Sequence, residues 1–330
     1  MLKFFKHTYM AQLVVIVLLI VALWLPVFLS STSPVFEDNP TTPLFNILTN
    51  DLGLSPFFIS LLTFAVFIVS VIFFNSMMSV NQMVTRNSSI GALMFVLCVC
   101  GAPLCVEYYP FLIAGLFIMM SMQTVYLIYL VEKPEMYLMN AGFFLSLATM
   151  FYFPSIILIL WLLISMMIMS MRGFRLYVIP LVGFILPYFV LFAIFYFTKT
   201  LIKNIGAYTL IFNNLSFETS GWGTVEIVTL LIVGVLFVLS FMIIKSEDAD
   251  NSISTRKKTS STVLLMLFSV VMLFLKQPVL SNGLIFIVLA VFLSTAFCYV
   301  RKSKIIDILI IVMMVVVIVN QYLPLFGIRL

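Results

Sequence analysis

Long apolar runs separated by short polar stretches follow one another from one end of the chain to the other. A helix needs about 20 apolar residues to cross the roughly 30 Å hydrocarbon core of a bilayer, and somewhat fewer where flanking groups reach the interface. The runs are apolar on every face and do not alternate with period two, which excludes a membrane β-barrel. The pattern therefore predicts an all-α, polytopic transmembrane helical bundle. Its eleven predicted spans cover residues 11–30, 57–74, 90–106, 111–131, 138–153, 155–171, 176–197, 225–244, 262–276, 284–300 and 305–320.

The interval 138–171 has two interpretations, because Pro154 either kinks one long helix or lies in the turn of a hairpin. The distribution of Lys and Arg distinguishes them. With a hairpin and a cytoplasmic N-terminus, 13 basic residues fall inside and 4 outside. A single span leaves about 8 inside and 9 outside, without the cytoplasmic excess that membrane insertion requires. We therefore predict a hairpin, eleven spans and a cytoplasmic N-terminus.

Composition agrees with a single transmembrane domain over residues 1–330. The chain is 64% apolar and 9% charged, with a mean hydropathy of +1.25, whereas soluble domains carry about 25% charged residues. Its pI is near 9.0, but the basic residues form short clusters between apolar runs. That arrangement is typical of topology determinants and not of a nucleic-acid-binding face. We expect membrane lipid as a partner, and no nucleic acid.

Three hydrophilic segments interrupt the apolar pattern. Two predicted external loops cover residues 31–56 and 198–224. A predicted cytoplasmic loop, 245–262, is rich in Ser, Thr and charged residues, which indicates a flexible, solvated segment.

Several kinds of chemistry find no support in the sequence. His7 is the single histidine, and no Gly-rich phosphate loop is present. The four cysteines lie in or beside apolar runs, so we interpret them as packing residues and predict no metal site. Charged residues are nearly absent from the spans, which disfavours proton or sodium coupling. The sequence identifies no cofactor.

Residues 140–190 read NAGFFLSLATMFYFPSIILILWLLISMMIMSMRGFRLYVIPLVGFILPYFV. With Pro43–Phe45 and the segment 75–97, this stretch resembles an uncharacterised family of polytopic inner-membrane proteins of Bacteroidota. The resemblance implies a bacterial inner (cytoplasmic) membrane and carries no activity. A looser, architectural similarity links the chain to C-type glycosyltransferases, which have a cytoplasmic N-terminus, one helix and then an external loop with an acidic residue. Such enzymes use polyprenyl-phosphate-linked donors, and Glu37 and Asp38 stand in the matching place.

The candidate catalytic residues are therefore Glu37 and Asp38 of the first external loop. One of the two carboxylates would act as general base on an acceptor hydroxyl. The alternative is an acidic loop without chemistry. Lys199 and Lys203 are the candidate lipid-phosphate-binding residues, because on a continuing helix residues four apart share a face. The alternative is that they are interfacial lysines reaching phospholipid headgroups, and the loop lacks arginine, the better bidentate reader of phosphate.

Three classes of function remain open. The first is a C-type glycosyltransferase-like or polyprenyl-phosphate-lipid-handling protein acting at the periplasmic face. The second is a non-enzymatic membrane partner or scaffold in envelope biogenesis, bound to another membrane protein. The third is a facilitator for a neutral or lipidic solute.

Overall fold

A computed structural model describes residues 5, 10–29, 44, 56–85, 88–101, 109–129, 131–214, 224–246, 252–273, 283–299 and 303–322. This part of the chain is helical and contains no strand. Its α-helices are α1 (Met10–Leu29), α2 (Pro56–Val80), α3 (Ile90–Cys100), α4 (Tyr109–Ile128), α5 (Glu135–Phe151), α6 (Leu158–Ile168), α7 (Phe174–Phe197), α8 (Leu201–Asn214), α9 (Thr224–Ser246), α10 (Ile253–Leu273), α11 (Leu284–Tyr299) and α12 (Ser303–Tyr322).

A helix lies in each of the eleven predicted apolar runs, and α8 is an additional one. Among the described residues, four helices are long and apolar enough to cross a membrane: Ala11–Phe28, Phe57–Val80, Phe111–Ile128 and Phe174–Phe197. Several shorter helices are also apolar. The chain is thus an all-helical protein whose long apolar helices indicate embedding in a membrane.

Two helices form the centre of the bundle. Every residue of α3 is buried, and so is every residue of α11 from Leu284 to Phe297. The two helices pack on each other, with α1, α2 and α12 against α3, and α9 and α10 against α11. Helices that are apolar on all faces must be covered on all faces by protein or lipid, and here protein covers them.

A second layer is built from α4, α5 and α7, in which α5 lies between the other two. Glycine allows a very close crossing of α5 and α7. A Cβ placed on Gly142 would lie 2.0 Å from the main-chain oxygen of Pro180, and one on Gly183 would lie 2.3 Å from that of Met139. Small residues permit this backbone-to-backbone approach between membrane helices. The outer face of α7 instead exposes bulky apolar side chains such as Ile185 and Phe189, as a lipid-facing surface does.

The chain does not run as one helix through Pro154. Helix α5 ends at Phe151, Tyr152 is extended (φ −135°, ψ 94°), and a 3₁₀ helix over Phe153–Ile157 leads into α6. Proline at the start of that short helix lacks the N–H that would continue the ladder of α5. Both interpretations of the interval 138–171, the kinked helix and the hairpin, have a break at this point.

Two segments differ from the loops predicted for them. Residues 201–214, inside the predicted external loop 198–224, form the amphipathic helix α8. Residues 253–262, inside the predicted flexible loop 245–262, form the first turns of α10. There the Ser252 hydroxyl accepts the N–H of Thr255 at 3.2 Å, an N-terminal cap that satisfies an otherwise unpaired helix donor. Residues 253–262 therefore form a capped helix end, whereas residues 247–251 of the predicted loop lie outside the described residues.

Candidate functional site

The predicted catalytic pair, Glu37 and Asp38, lies outside the described residues. Of the predicted phosphate-binding pair, Lys199 is described and exposed. Lys203 lies on α8, and its side chain is outside the described part of the chain.

The premise that Lys199 and Lys203 lie on one continuing helix is wrong. Helix α7 ends in a Schellman motif, in which Lys199 N–H donates to Tyr196 O (3.1 Å) and Thr200 N–H donates to Phe195 O (3.0 Å). Lys199 takes the left-handed conformation at φ 57°, and α8 begins afresh at Leu201. The spacing of four residues consequently does not place the two ammonium groups on one helical face.

Single residues from both predicted external loops pack on one apolar cluster beside α7. Its buried members are Met150 of α5 and Leu191 and Phe195 of α7. Leu44, from the first predicted loop, packs against it together with Leu201 and Tyr208 from the second. This end of the bundle, where α5 and α7 end and α8 begins, is called the outer end below.

Hydroxyl groups and aromatic rings line the same place. The hydroxyls of Thr149 and Tyr188 are 2.9 Å apart and hydrogen-bonded to each other. The Tyr208 ring lies 6.4 Å from that of Tyr188 and 6.0 Å from that of Phe153, measured between centroids. Burial raises the pKa of Tyr208, and the neighbouring Tyr188 raises it further. The phenol of Tyr208 therefore remains a neutral hydrogen-bond donor. Thr149, Tyr188 and Tyr208 form what we call the outer cluster. We group with them Ser146, whose main-chain oxygen accepts from the Thr149 hydroxyl at 2.7 Å, and Ser155, which lies in the 3₁₀ helix that also holds Phe153.

Three hydroxyls of the outer cluster have no hydrogen-bond partner among the described residues: those of Ser146, Ser155 and Tyr208. Ser146 and Ser155 are fully buried. Buried polar atoms in native proteins nearly always have a partner from the protein, water or a ligand. Hydroxyl donors left without a partner at this end of the bundle therefore suit a partner with acceptor oxygens.

A second polar cluster joins the other ends of the helices. The Asn81 amide, just past α2, donates from Nδ2 to Met77 O (2.8 Å) and to Gln123 Oε1 of α4 (2.7 Å). Lys258 of α10, only 3% exposed, donates from Nζ to the Asn81 main-chain oxygen at 3.2 Å. Asn81, Gln123, Ser170, Lys257 and Lys258 are called the inner cluster. Burial lowers the pKa of Lys258, which lies before the predicted span 262–276.

The inner cluster sets two lysines of α10 against the C-terminal ends of three helices. Lys258 contacts the carbonyl that follows α2. The neighbouring Lys257 donates to Ser170 Oγ at 2.6 Å, just past α6, and its Nζ lies 4.7 Å from the ring centroid of Tyr129, just past α4. Helix C-terminal ends carry partial negative charge, so cations there are stabilising.

Two further contacts, about one turn further along α10, join this helix to α6 and α4. The Trp161 indole of α6 donates to Ser261 O at 3.0 Å. The hydroxyls of Tyr126 on α4 and Thr262 on α10 are 2.6 Å apart. Sequence reasoning missed the inner cluster. The available signal was the pair Lys257 and Lys258, directly before the predicted span 262–276. The Ser, Thr and charge content of that segment instead indicates solvated side chains.

The end of the bundle that holds the inner cluster is called the inner end. A cavity of about 550 Å³ lies there, between the turn that follows α2 and the last residue of α11. Its lining includes Ser79, Gln82, Thr85 and Tyr299. No group of three or more His, Cys, Asp or Glu residues that could hold a metal ion occurs in the described part of the chain. In the part of the chain that the structure describes, these features are those of an all-helical protein whose long apolar helices suggest a membrane-embedded protein, with the outer and inner polar clusters near opposite ends of its bundle. No family model, curated protein or solved structure matches the chain.

Proposed function

We propose that this chain is a multi-pass protein of the bacterial inner membrane that binds a polyprenyl-phosphate lipid at the periplasmic face. In this proposal the chain has eleven spans and a cytoplasmic N-terminus, and it belongs with the Bacteroidota family that residues 140–190 resemble. The observation that carries the proposal is the outer cluster, where Leu44 and Tyr208 from the two predicted external loops pack on one apolar cluster beside hydroxyls that have no partner among the described residues.

Contacts between helix ends support the alternating topology. Alternation from a cytoplasmic N-terminus assigns Phe5, Ser89, Asn81 and Lys258 to the cytoplasmic side. Phe5 O accepts the Ser89 N–H at 3.0 Å, and Lys258 contacts Asn81. Segments that alternation places on the same side are thus in contact.

The same agreement holds for the periplasmic side. Alternation puts the C-terminal ends of α1, α3 and α12 there. The Gln321 amide donates to Cys100 O at 2.8 Å, and the Tyr322 hydroxyl donates to Ala22 O at 2.9 Å. These contacts join α12 to the last residue of α3 and the second half of α1.

The outer cluster has the chemistry of a phosphate-lipid site. The Ser155 and Tyr208 hydroxyls are donors, and phosphate oxygens are acceptors. The surrounding rings and aliphatic side chains suit an apolar chain. Lys199, exposed just after α7, would supply positive charge, and Glu37 or Asp38 would act as base if the protein is a transferase. Within the described residues the central pair α3 and α11 is packed with apolar side chains, which favours lipid handling over facilitated passage of a solute through the centre.

The test compares lipids retained by the gently purified chain and its variants, using mass spectrometry of lipid extracts. We expect a polyprenyl-phosphate species with the wild type. Tyr208→Phe removes one hydroxyl donor to a charged acceptor, so retention should fall about tenfold or more. Its thermal stability should stay the same or rise, because the hydroxyl has no partner within the described protein.

Tyr196→Phe is the matched control, since Tyr196 is 69% exposed on the same helix end. It should retain the lipid like the wild type. Glu37→Gln/Asp38→Asn should retain the lipid and accumulate it if the protein turns it over. Only bulk phospholipid on all of these proteins would refute the proposal and favour the scaffold hypothesis, which a stably co-purifying membrane protein would support.

A further inference from the structure

Two basic segments that are far apart in sequence lie side by side at the inner end. Lys257, near the start of α10, donates to the hydroxyl of Ser170 at 2.6 Å. Arg172 follows Ser170 by two residues, so their Cα atoms are at most about 7.6 Å apart. Arg256 is adjacent to Lys257, and Arg175 lies in the first turn of α7. Arg172, Arg175, Arg256 and Lys257 are called the basic rim.

The rim is held in place by its neighbours. Ser170 is fixed in the left-handed conformation (φ 64°) by a Schellman motif at the end of α6, in which Met171 N–H donates to Met166 O at 3.1 Å. The Tyr129 ring lies under the Lys257 ammonium. The Tyr177 hydroxyl donates to Met171 O at 3.2 Å and joins α7 to the same turn. The spacing between the two basic segments is therefore set by the fold.

The rim faces outward without acidic partners in the described part of the chain. Arg172, Arg175 and Arg256 are exposed, and none of the four rim residues forms an ion pair with another described residue. Large apolar side chains are exposed beside them: Phe174 is 84% exposed and Ile253 is 61% exposed. Cations interleaved with exposed apolar side chains match the interface of a bilayer, where headgroup phosphates and the first acyl carbons meet.

We propose that the basic rim is a binding site for one anionic phospholipid headgroup of the cytoplasmic leaflet. The α6–α7 turn and the start of α10 each supply cations to the same headgroup, while Phe174 and Ile253 contact its acyl chains. Arginine suits this role because its guanidinium binds phosphate bidentately. This site is separate from the outer cluster, and it uses the proposed membrane topology but not the polyprenyl-phosphate specificity.

The test is native mass spectrometry of the full chain released from nanodiscs of phosphatidylcholine containing a minor fraction of phosphatidylglycerol. The wild type should retain one phosphatidylglycerol per chain. Arg172→Gln and Arg256→Gln should each reduce that retained fraction about fivefold, since a cation near a charged headgroup contributes about that factor. Both substitutions lie on exposed side chains, so each variant should fold, and melting curves are the check.

Lys245→Gln is the matched control, because Lys245 is an exposed cation at the same end of the bundle, on α9. It should keep the bound phosphatidylglycerol. Equal losses in all three variants would show diffuse electrostatic attraction and overturn the proposal, as would unchanged retention in Arg172→Gln or Arg256→Gln. Displacement of the lipid by soluble glycerol phosphate would show a site for free phosphate instead of a lipid, and would also overturn it. A polyprenyl-phosphate lipid absent from the wild type would refute the outer-site proposal and leave this one standing.

Discussion

The crossing of α5 and α7 offers the sharpest test of the packing. Gly142→Ala adds one methyl group whose carbon would lie 2.0 Å from the Pro180 oxygen. Even a weak carbon–oxygen hydrogen bond needs about 3.3 Å. The colliding atom belongs to the backbone of a helix, so it cannot turn away as a side chain would. The two helices must therefore move apart by about 1 Å or more at the point where they cross.

The expected cost follows from two opposing terms. Overpacking a well-filled interior by one methylene costs about 1–3 kcal/mol, occasionally more. Alanine in place of glycine returns at most about 1 kcal/mol of helix propensity. We expect a net loss of about 2 kcal/mol for Gly142→Ala. Gly183→Ala strains the same crossing, so the double variant should lose less than the sum of the two single losses.

Thermal unfolding in detergent, followed with a thiol-reactive dye, measures the effect. Cys98 and Cys100 are buried on α3, so a Cys105→Ala/Cys298→Ala background makes their exposure the signal of unfolding. Gly234→Ala is the control, because a methyl group at Gly234 on α9 meets nothing within 4 Å, and it should be neutral or stabilising. A Gly142→Ala protein as stable as the Gly234→Ala protein would refute the close crossing.

Three further outcomes are expected from the same assay. Lys199→Gly should be about 1 kcal/mol more stable than Lys199→Ala, because glycine adopts the left-handed conformation without a Cβ penalty; equal melting would contradict the Schellman end of α7. Trp161→Phe should cost about 1 kcal/mol more than Trp24→Phe, since both indoles are buried but only that of Trp161 is hydrogen-bonded, to Ser261; the reverse order would be contrary evidence. Burial lowers the pKa of Lys258, so the unfolded chain binds the proton more tightly, and stability should rise as pH increases towards the ordinary value of 10.5. Lys258→Met should lack that rise. The same increase of stability with pH in the wild type and in Lys258→Met would argue against a buried ammonium.

The sequence predicted the positions of most helices because the hydrophobic runs are long and their polar interruptions are short. Burial within the bundle was not predictable in the same way. An apolar run such as 284–300 reads the same whether lipid or protein covers it, and only the fold shows that α11 is enclosed. The pair Gly142 and Pro180 likewise becomes a contact only when α5 and α7 cross.

The candidate sites were less predictable than the helices. Lys199 and Lys203 were paired by assuming one continuous helix, and nothing in the local sequence signals a non-glycine residue in a Schellman motif. The role of Lys257 and Lys258 depends on three helix ends contributed by distant parts of the chain. The predicted acids Glu37 and Asp38 stay a prediction for mutagenesis.

The enclosed pair α3 and α11 imposes an order on biogenesis. Most of the chain is synthesised between the two helices, so α3 leaves the ribosome long before the helix that covers one of its sides. Until α11 arrives, that side of α3 must contact lipid or the insertion machinery. The bundle therefore cannot close until α11 is inserted, and nascent chains that stop after α10 would persist as open intermediates, suited to recognition by membrane quality control.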